Sequence, residues 1–99
     1  MVTIIATLKV KAGNEGAFQD AARKMIEHVK KSEPATLTYM FHRSTSDPAE
    51  FAFYETYTDQ AAVAAHSSSE AMMQFFGAVG GLLDGRPEIK TYEEVGGKK

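Results

Sequence analysis

Apolar and polar residues alternate along the start of the chain. The apolar positions within residues 2–11 share one face, and they are Val2, Ile4, Ala6, Leu8 and Val10. A period of two predicts a β-strand. From Glu15 to about Ser32 the apolar positions recur every three or four residues, which predicts an amphipathic helix. Asn14 is the expected N-cap of this helix, and Pro34 follows its end.

A pair of strands is predicted next. Residues 36–44 and 51–58 both alternate, and the turn-forming residues 45–48 lie between them. This arrangement is typical of a β-hairpin. In the first strand of the pair we expect Leu37, Tyr39 and Phe41 to share one face.

The rest of the chain predicts a second helix and a final strand. Asp59 stands where the helical period begins, and Ser67-Ser68-Ser69-Glu70 has the pattern of a capping box. We therefore expect a break in the helix and a second helical segment that starts near Ser67. Residues 88–95 alternate again and predict the last strand. We expect a single domain over residues 1–95 and a flexible C-terminal tail over residues 96–99.

The predicted order β-α-β-β-α-β is that of a ferredoxin-like α+β fold. In such a fold two helices cover one face of a four-stranded antiparallel sheet, and the other face is normally polar where it meets water. Here Ile5, Met40 and Tyr54 fall on that other face. We therefore expect a homodimer that buries this face of the sheet.

Composition narrows the class of function. The 99 residues carry a net charge of −2 without a concentrated basic cluster, which argues against nucleic acid because phosphates require a positive surface. No apolar run approaches the roughly 20 residues that a membrane span needs, and no signal-peptide layout is present, so a cytoplasmic location is expected. The chain has no cysteine and no histidine spacing typical of a metal site, so we expect no metal.

The stretch from Phe51 to Glu70 contains the candidate chemistry. Glu55 and Tyr57 share one face of a strand, and His66 lies two helical turns after Asp59. We expect that strand face and that helix side to point into one cavity, with His66 at its mouth. An imidazole exchanges protons near neutral pH and can act as a general base. A structural role is the alternative for each residue, since buried acids are usually paired and large aromatics often only fill the core.

Further side chains are candidates for the walls of this cavity. They are flat or small apolar groups from the predicted hairpin and helices, namely Tyr39, Phe41, Phe53, Val63 and Phe76. Core packing alone would also explain each of them.

The chain resembles the antibiotic biosynthesis monooxygenase family, within the dimeric α+β barrel superfamily. The resemblance covers essentially the whole chain, and its most specific part is Tyr54-Glu55-x-Tyr57-x-Asp59-x-x-Ala62-x-x-x-His66. It implies a dimeric barrel and a cofactor-independent monooxygenase that acts on quinols or polyketide aromatics. The superfamily also includes haem-degrading enzymes and a small sugar-phosphate isomerase.

Two departures from the family pattern affect the functional hypothesis. Tyr57 stands where many members have Trp, and the first strand contains no Asn, so a haem-degrading function is disfavoured. The leading hypothesis is a homodimeric monooxygenase without a cofactor that oxidises a small aromatic substrate with O₂, with His66 as base, Tyr57 as phenolic donor and Glu55 as orienting acid. One alternative is a non-catalytic dimeric barrel that binds a small ligand. Another is an isomerase of a small phosphorylated carbonyl compound, for which only Arg43 and Arg86 lie near plausible pocket edges.

Overall fold

A computed structural model describes all residues from Met1 to Lys99. The strands are β1 (Val2–Lys9), β2 (Thr36–Arg43), β3 (Glu50–Tyr57) and β4 (Glu88–Glu93), and the helices are α1 (Glu15–Ser32), α2 (Gln60–Ser67) and α3 (Glu70–Val79), followed by a 3₁₀ turn at Gly80–Leu82. The four strands form one antiparallel sheet in the order β2-β3-β1-β4. The predicted ferredoxin-like α+β fold is therefore confirmed.

The main core lies between the sheet and the helices. Phe18 of α1 contacts the rings of Phe51 and Phe75, with centroids 5.0 and 6.0 Å away. Its side chain is completely buried, because α1 packs against both α3 and the sheet. The alternating face predicted for β1 is confirmed, since Ile4, Ala6, Leu8 and Val10 are all buried.

The break between the second and third helices is real, but its cap differs from the prediction. Helix α2 continues through Ser67, and Ser69 is the N-cap of α3, with its hydroxyl accepting from the amide of Met72 at 3.1 Å. The N-cap therefore lies two residues after Ser67, where the second segment was predicted to start. Three serines in a row left the cap ambiguous, and the one whose oxygen reaches a free amide two or three residues ahead takes the role.

The first helix starts where expected but without a side-chain cap. Asn14 occupies the N-cap position of α1, yet its side chain makes no capping hydrogen bond. The carboxylate of Glu15 instead accepts from the amide of Gly13 at 2.8 Å. An acid in the first turn is favourable beside the positive end of the helix dipole.

A β-bulge corrects the predicted faces of β2. The pairing of β2 with β3 shifts between Thr36 and Thr38, so Leu37 is the extra residue. Beyond the bulge Tyr39 and Phe41 contact the core, whereas Leu37 is 53% exposed. The expectation that all three share one face was wrong because strict alternation does not continue across a bulge.

The face of the sheet opposite the helices carries exposed apolar groups. The strand registers place Met40, Tyr54 and Ile5 side by side in one row across β2, β3 and β1. Their exposed fractions are 56%, 41% and 38%, respectively. We call this surface the bare face. None of the helices is long and apolar enough to cross a membrane.

Candidate functional site

Histidine 66 is held inside the molecule by the short helix α2. Asp59 caps that helix, with its carboxylate accepting from the amide of Ala62 at 2.9 Å. Two turns later His66 points into the protein and is only 2% exposed. The expectation that it lies at the mouth of a cavity was therefore wrong. One side of α2 packs against β2 and β3, and His66 belongs to that side together with Ala62 and Val63.

The Nδ1 atom of His66 is paired with a carboxylate that the sequence analysis did not single out. It lies 2.7 Å from Oε1 of Glu33, the residue that follows α1. The same oxygen accepts from the hydroxyl of Thr36 at 2.8 Å. Since a carboxylate only accepts, this short contact requires a proton on Nδ1. The turn from α1 into β2 thus fixes one edge of the imidazole.

The Nε2 atom at the other edge of His66 has no hydrogen-bond partner although it is buried. Its nearest charged neighbour is Oε1 of Glu55, at 3.8 Å, which is beyond hydrogen-bonding distance. That oxygen accepts a hydrogen bond from the hydroxyl of Tyr57 at 2.5 Å. The strand register places Glu55 between Ile4 on β1 and Tyr39 on β2, so its carboxyl group lies in the middle of the sheet.

Burial shapes the protonation of the groups around the imidazole. Desolvation raises the pKa of the Glu55 carboxyl, while the hydrogen bond from Tyr57 and the proximity of His66 oppose that rise. Desolvation and the nearby Glu55 carboxylate raise the pKa of Tyr57 far above the usual value for a phenol, and the same two causes raise that of Tyr39. Both tyrosines therefore remain neutral hydrogen-bond donors, and neither can serve as a base.

An apolar cavity is lined by His66 and by Glu55, the acid nearest to Nε2. Its volume is about 50 Å³. The lining is mostly aliphatic and aromatic, with Glu55, His66 and Ser67 as its polar members, and comprises Ile4, Ala6, Leu8, Tyr39, Phe53, Glu55, His66, Ser67, Met72, Phe75, Phe76, Pro87 and Ile89. No arginine or lysine is among these residues.

A second, more polar cleft lies on the Nδ1 side. Its volume is about 300 Å³, and its lining includes His28, Glu33 and His66. Nε2 of His28 is 3.1 Å from Oε2 of Glu33, close enough for an ion pair but not aligned for a hydrogen bond. The imidazole of His66 is therefore part of the wall between an apolar cavity and a polar cleft. No group of three or more side chains in the chain is arranged to hold a metal ion.

The comparison with known families agrees with this architecture. The model of the family described as antibiotic biosynthesis monooxygenase matches residues 1–78. The chain belongs to this family. The match includes β1 to β3 and α2, and therefore every residue of the Glu33–His66–Glu55–Tyr57 cluster.

Solved structures of other proteins support the same family fold. A candidate antibiotic biosynthesis monooxygenase from Caulobacter crescentus CB15 superimposes with a TM-score of 0.92 and 25% identity, over 96% of this chain and 90% of that one. A second candidate from Nitrosomonas europaea gives a TM-score of 0.89 and 23% identity, over 96% and 99% of the two chains. Among curated sequences, the uncharacterised protein sll1783 of Synechocystis is 26% identical over 92 residues. Those residues are 93% of this chain but only 62% of that relative.

The structure of this family member brings together only some of the residues predicted for the site. Glu55, His66, Tyr39, Phe53 and Phe76 all line the apolar cavity.

Three predicted site residues lie elsewhere. Tyr57 is completely buried behind the cavity and reaches it only through Glu55, and Val63 packs in the same small cluster as Tyr57. Phe41 packs in the core and does not line the cavity. Its ring stacks on that of Phe51 with centroids 5.3 Å apart and contacts that of Phe53 with centroids 4.8 Å apart. Each of the three shares a strand face or a helix side with a residue that does line the cavity, which is why the sequence pattern predicts them there.

Proposed function

We propose that the protein is a monooxygenase that uses no cofactor and oxidises a small, uncharged phenol or quinol with O₂, with His66 as the general base. The observation that carries this proposal is the buried Nε2 atom of His66. It has no partner, its nearest charged neighbour Glu55 lines the apolar cavity together with His66, and the Nδ1 atom of the same ring is held by Glu33. A base that is dry, oriented and free of competing donors suits abstraction of a phenolic proton.

The chemistry starts with transfer of the substrate O–H proton to Nε2. The electron-rich phenolate passes one electron to O₂, and the resulting substrate radical and superoxide combine into a peroxide with a new C–O bond. The proton held by His66 returns to the distal oxygen, the O–O bond breaks, and a second substrate hydrogen leaves as a proton. The products are a carbonyl and one water, so one oxygen atom of O₂ enters the substrate.

The remaining residues of the cluster have supporting roles in this proposal. Glu55 is the orienting acid at the substrate side, and its negative charge near Nε2 stabilises the imidazolium that forms when the proton arrives. Tyr57 donates to Glu55 and keeps its carboxyl group in place. The rings of Tyr39, Phe53 and Phe76 offer flat surfaces for an aromatic substrate.

The size and charge of the cavity restrict the substrate class. A volume of about 50 Å³ is smaller than a cavity of about 150 Å³ that accepts benzene, so an aromatic ring enters only if lining side chains move. Met72 at the lining is flexible enough to do so. A phosphorylated carbonyl substrate fits less well, because the cavity has two carboxylates close to it and no arginine or lysine in its lining.

We further propose that the protein is a homodimer in which the bare faces of two sheets meet. The support is the row of exposed apolar side chains formed by Met40, Tyr54 and Ile5. Antiparallel sheets that face water carry polar residues there. A stable interface of this kind is expected to bury at least about 1,200 Å² in total.

The test of the proposed function is oxygen uptake by the purified protein with a panel of dihydroxynaphthalenes and anthrones. With ¹⁸O₂ the product should gain one labelled atom, as measured by mass spectrometry. The alternative of a non-catalytic ligand-binding barrel predicts instead that these compounds bind and are recovered unchanged. Absence of uptake with every member of the panel would overturn the enzymatic proposal.

A further inference from the structure

The environment of Glu33 suggests a role beyond ending a helix. Its side chain is only 12% exposed, and its two oxygens contact different partners. Oε1 accepts a hydrogen bond from the Thr36 hydroxyl at 2.8 Å and lies 2.7 Å from Nδ1 of His66. Oε2 lies 3.1 Å from Nε2 of His28. An acid at this depth is costly unless it is paired, and here Oε1 has two hydrogen-bonding neighbours whereas Oε2 has only the nearby ring of His28.

The geometry points to Glu33 as the positioning residue of the site, an inference that rests on the proposed function. Its carboxylate holds the proton of neutral His66 on Nδ1, and this leaves Nε2 deprotonated toward the apolar cavity. A neutral imidazole carries one proton, and the hydrogen bond made by one nitrogen decides which nitrogen carries it. Glu33 does not line the apolar cavity, so in this proposal it acts through His66 and not on the substrate.

The alternative tautomer is disfavoured by contacts at both edges of the ring. A proton on Nε2 would find no acceptor within hydrogen-bonding distance, because Glu55 is 3.8 Å away. Nδ1 would then turn a lone pair toward the carboxylate of Glu33 at 2.7 Å, which is repulsive. The same carboxylate also stabilises the imidazolium that forms after proton abstraction, because it supplies the opposite charge at close range.

Two variants of Glu33 separate the tautomer from the charge. Glu33→Gln retains a carbonyl oxygen that can accept from Thr36 and from Nδ1, so we expect the tautomer to be kept and kcat to fall moderately. Glu33→Leu removes the acceptor and the charge, so we expect a mixture of tautomers and a fall in kcat of about 10-fold or more, because the imidazolium also loses its neighbouring opposite charge. KM should change little in both variants, because Glu33 lies outside the cavity. Glu27→Gln is the matched control, an exposed acid on α1 that is paired with Lys30.

The measurement is ¹⁵N NMR of the histidine side chains together with the steady-state kinetics. We expect His66 of the wild-type protein to be protonated on Nδ1, and we expect Glu33→Leu to lose that preference while Glu27→Gln keeps it. A wild-type His66 protonated on Nε2 would overturn the inference, and this result does not depend on whether any variant folds. An unchanged tautomer and unchanged kcat in a folded Glu33→Leu protein would overturn it as well. The NMR readout needs no substrate, so a Glu33-dependent tautomer without oxygen uptake would refute the proposed function and leave the inference intact.

Discussion

Removing one hydroxyl tests the buried cluster most simply. Tyr57→Phe deletes the hydroxyl that donates to Oε1 of Glu55 at 2.5 Å. The rest of this completely buried side chain is unchanged. The variant leaves that oxygen of a buried carboxyl group without a hydrogen bond. A hydrogen bond to a charged group is worth about 1.5–3 kcal/mol, so we expect a loss of about 2 kcal/mol in the free energy of unfolding.

This loss should be easy to measure in a domain of this size. For 99 residues a change of 1 kcal/mol moves Tm by about 4–8 °C, so Tyr57→Phe should lower Tm by about 8–16 °C. Urea unfolding monitored by circular dichroism gives the free energy directly. Thr45→Val is the control for the loss of one hydroxyl, because Thr45 is exposed in the turn between β2 and β3 and the change should cost less than about 0.5 kcal/mol.

A double-mutant cycle identifies the partner of the hydroxyl. In a Glu55→Gln background Tyr57→Phe should cost only about 1 kcal/mol, because a neutral amide oxygen is a weaker acceptor than a carboxylate. Equal losses in both backgrounds would show that the hydroxyl is not coupled to Glu55. A loss no larger than that of Thr45→Val would refute the reasoning altogether.

Three further predictions concern pH, a helix cap and association. Burial raises the pKa of Glu55, so its contribution to stability is present below the unfolded pKa of about 4.5 and is lost as pH rises through the folded pKa. Urea unfolding measured from below pH 4.5 upward should therefore show the wild-type protein losing stability relative to Glu55→Gln. A difference in stability between the two proteins that does not change with pH would contradict this prediction. Ser69→Ala should cost about 1 kcal/mol in the same assay and Asn14→Ala clearly less, because only the serine makes a capping hydrogen bond. Met40→Lys on the bare face places a charge in the proposed interface and should shift sedimentation toward the monomer. Met73→Lys, at a side chain that is 66% exposed on α3, should not do so. A wild-type protein that sediments as a monomer at micromolar concentration would exclude the dimer.

The fold could be predicted because its signals are local and periodic. The apolar alternation of β1 and the helical period of α1 are each readable within one element, and both were confirmed. Exceptions arose where one residue changes the register, as at Leu37 in the bulge. A second exception is Ser69, because any of three successive serines could have capped the helix. Neither feature leaves a periodic trace in the sequence.

The candidate site was only partly predictable, because Glu33 and His66 are far apart along the chain. Glu55 and His66 were found from their strand and helix positions, and both line the cavity. Glu33 is 33 residues from His66, and its place before Pro34 indicates only the end of a helix. Packing of the turn after α1 against α2 brings the two together. A buried carboxylate beside a turn would have been a signal only if the burial of that turn had been known.

The most direct test of the central claim is the rate of oxygen uptake by His66→Asn beside wild type, with the best substrate of the panel. The amide nitrogen of asparagine can take the place of Nδ1 and keep the contact with Glu33, so the variant loses the base and little else. We expect uptake to fall by about 10²-fold or more, while Glu27→Gln, at an exposed acid of α1, retains wild-type uptake. Wild-type uptake in a folded His66→Asn protein would contradict the assignment of His66 as the base.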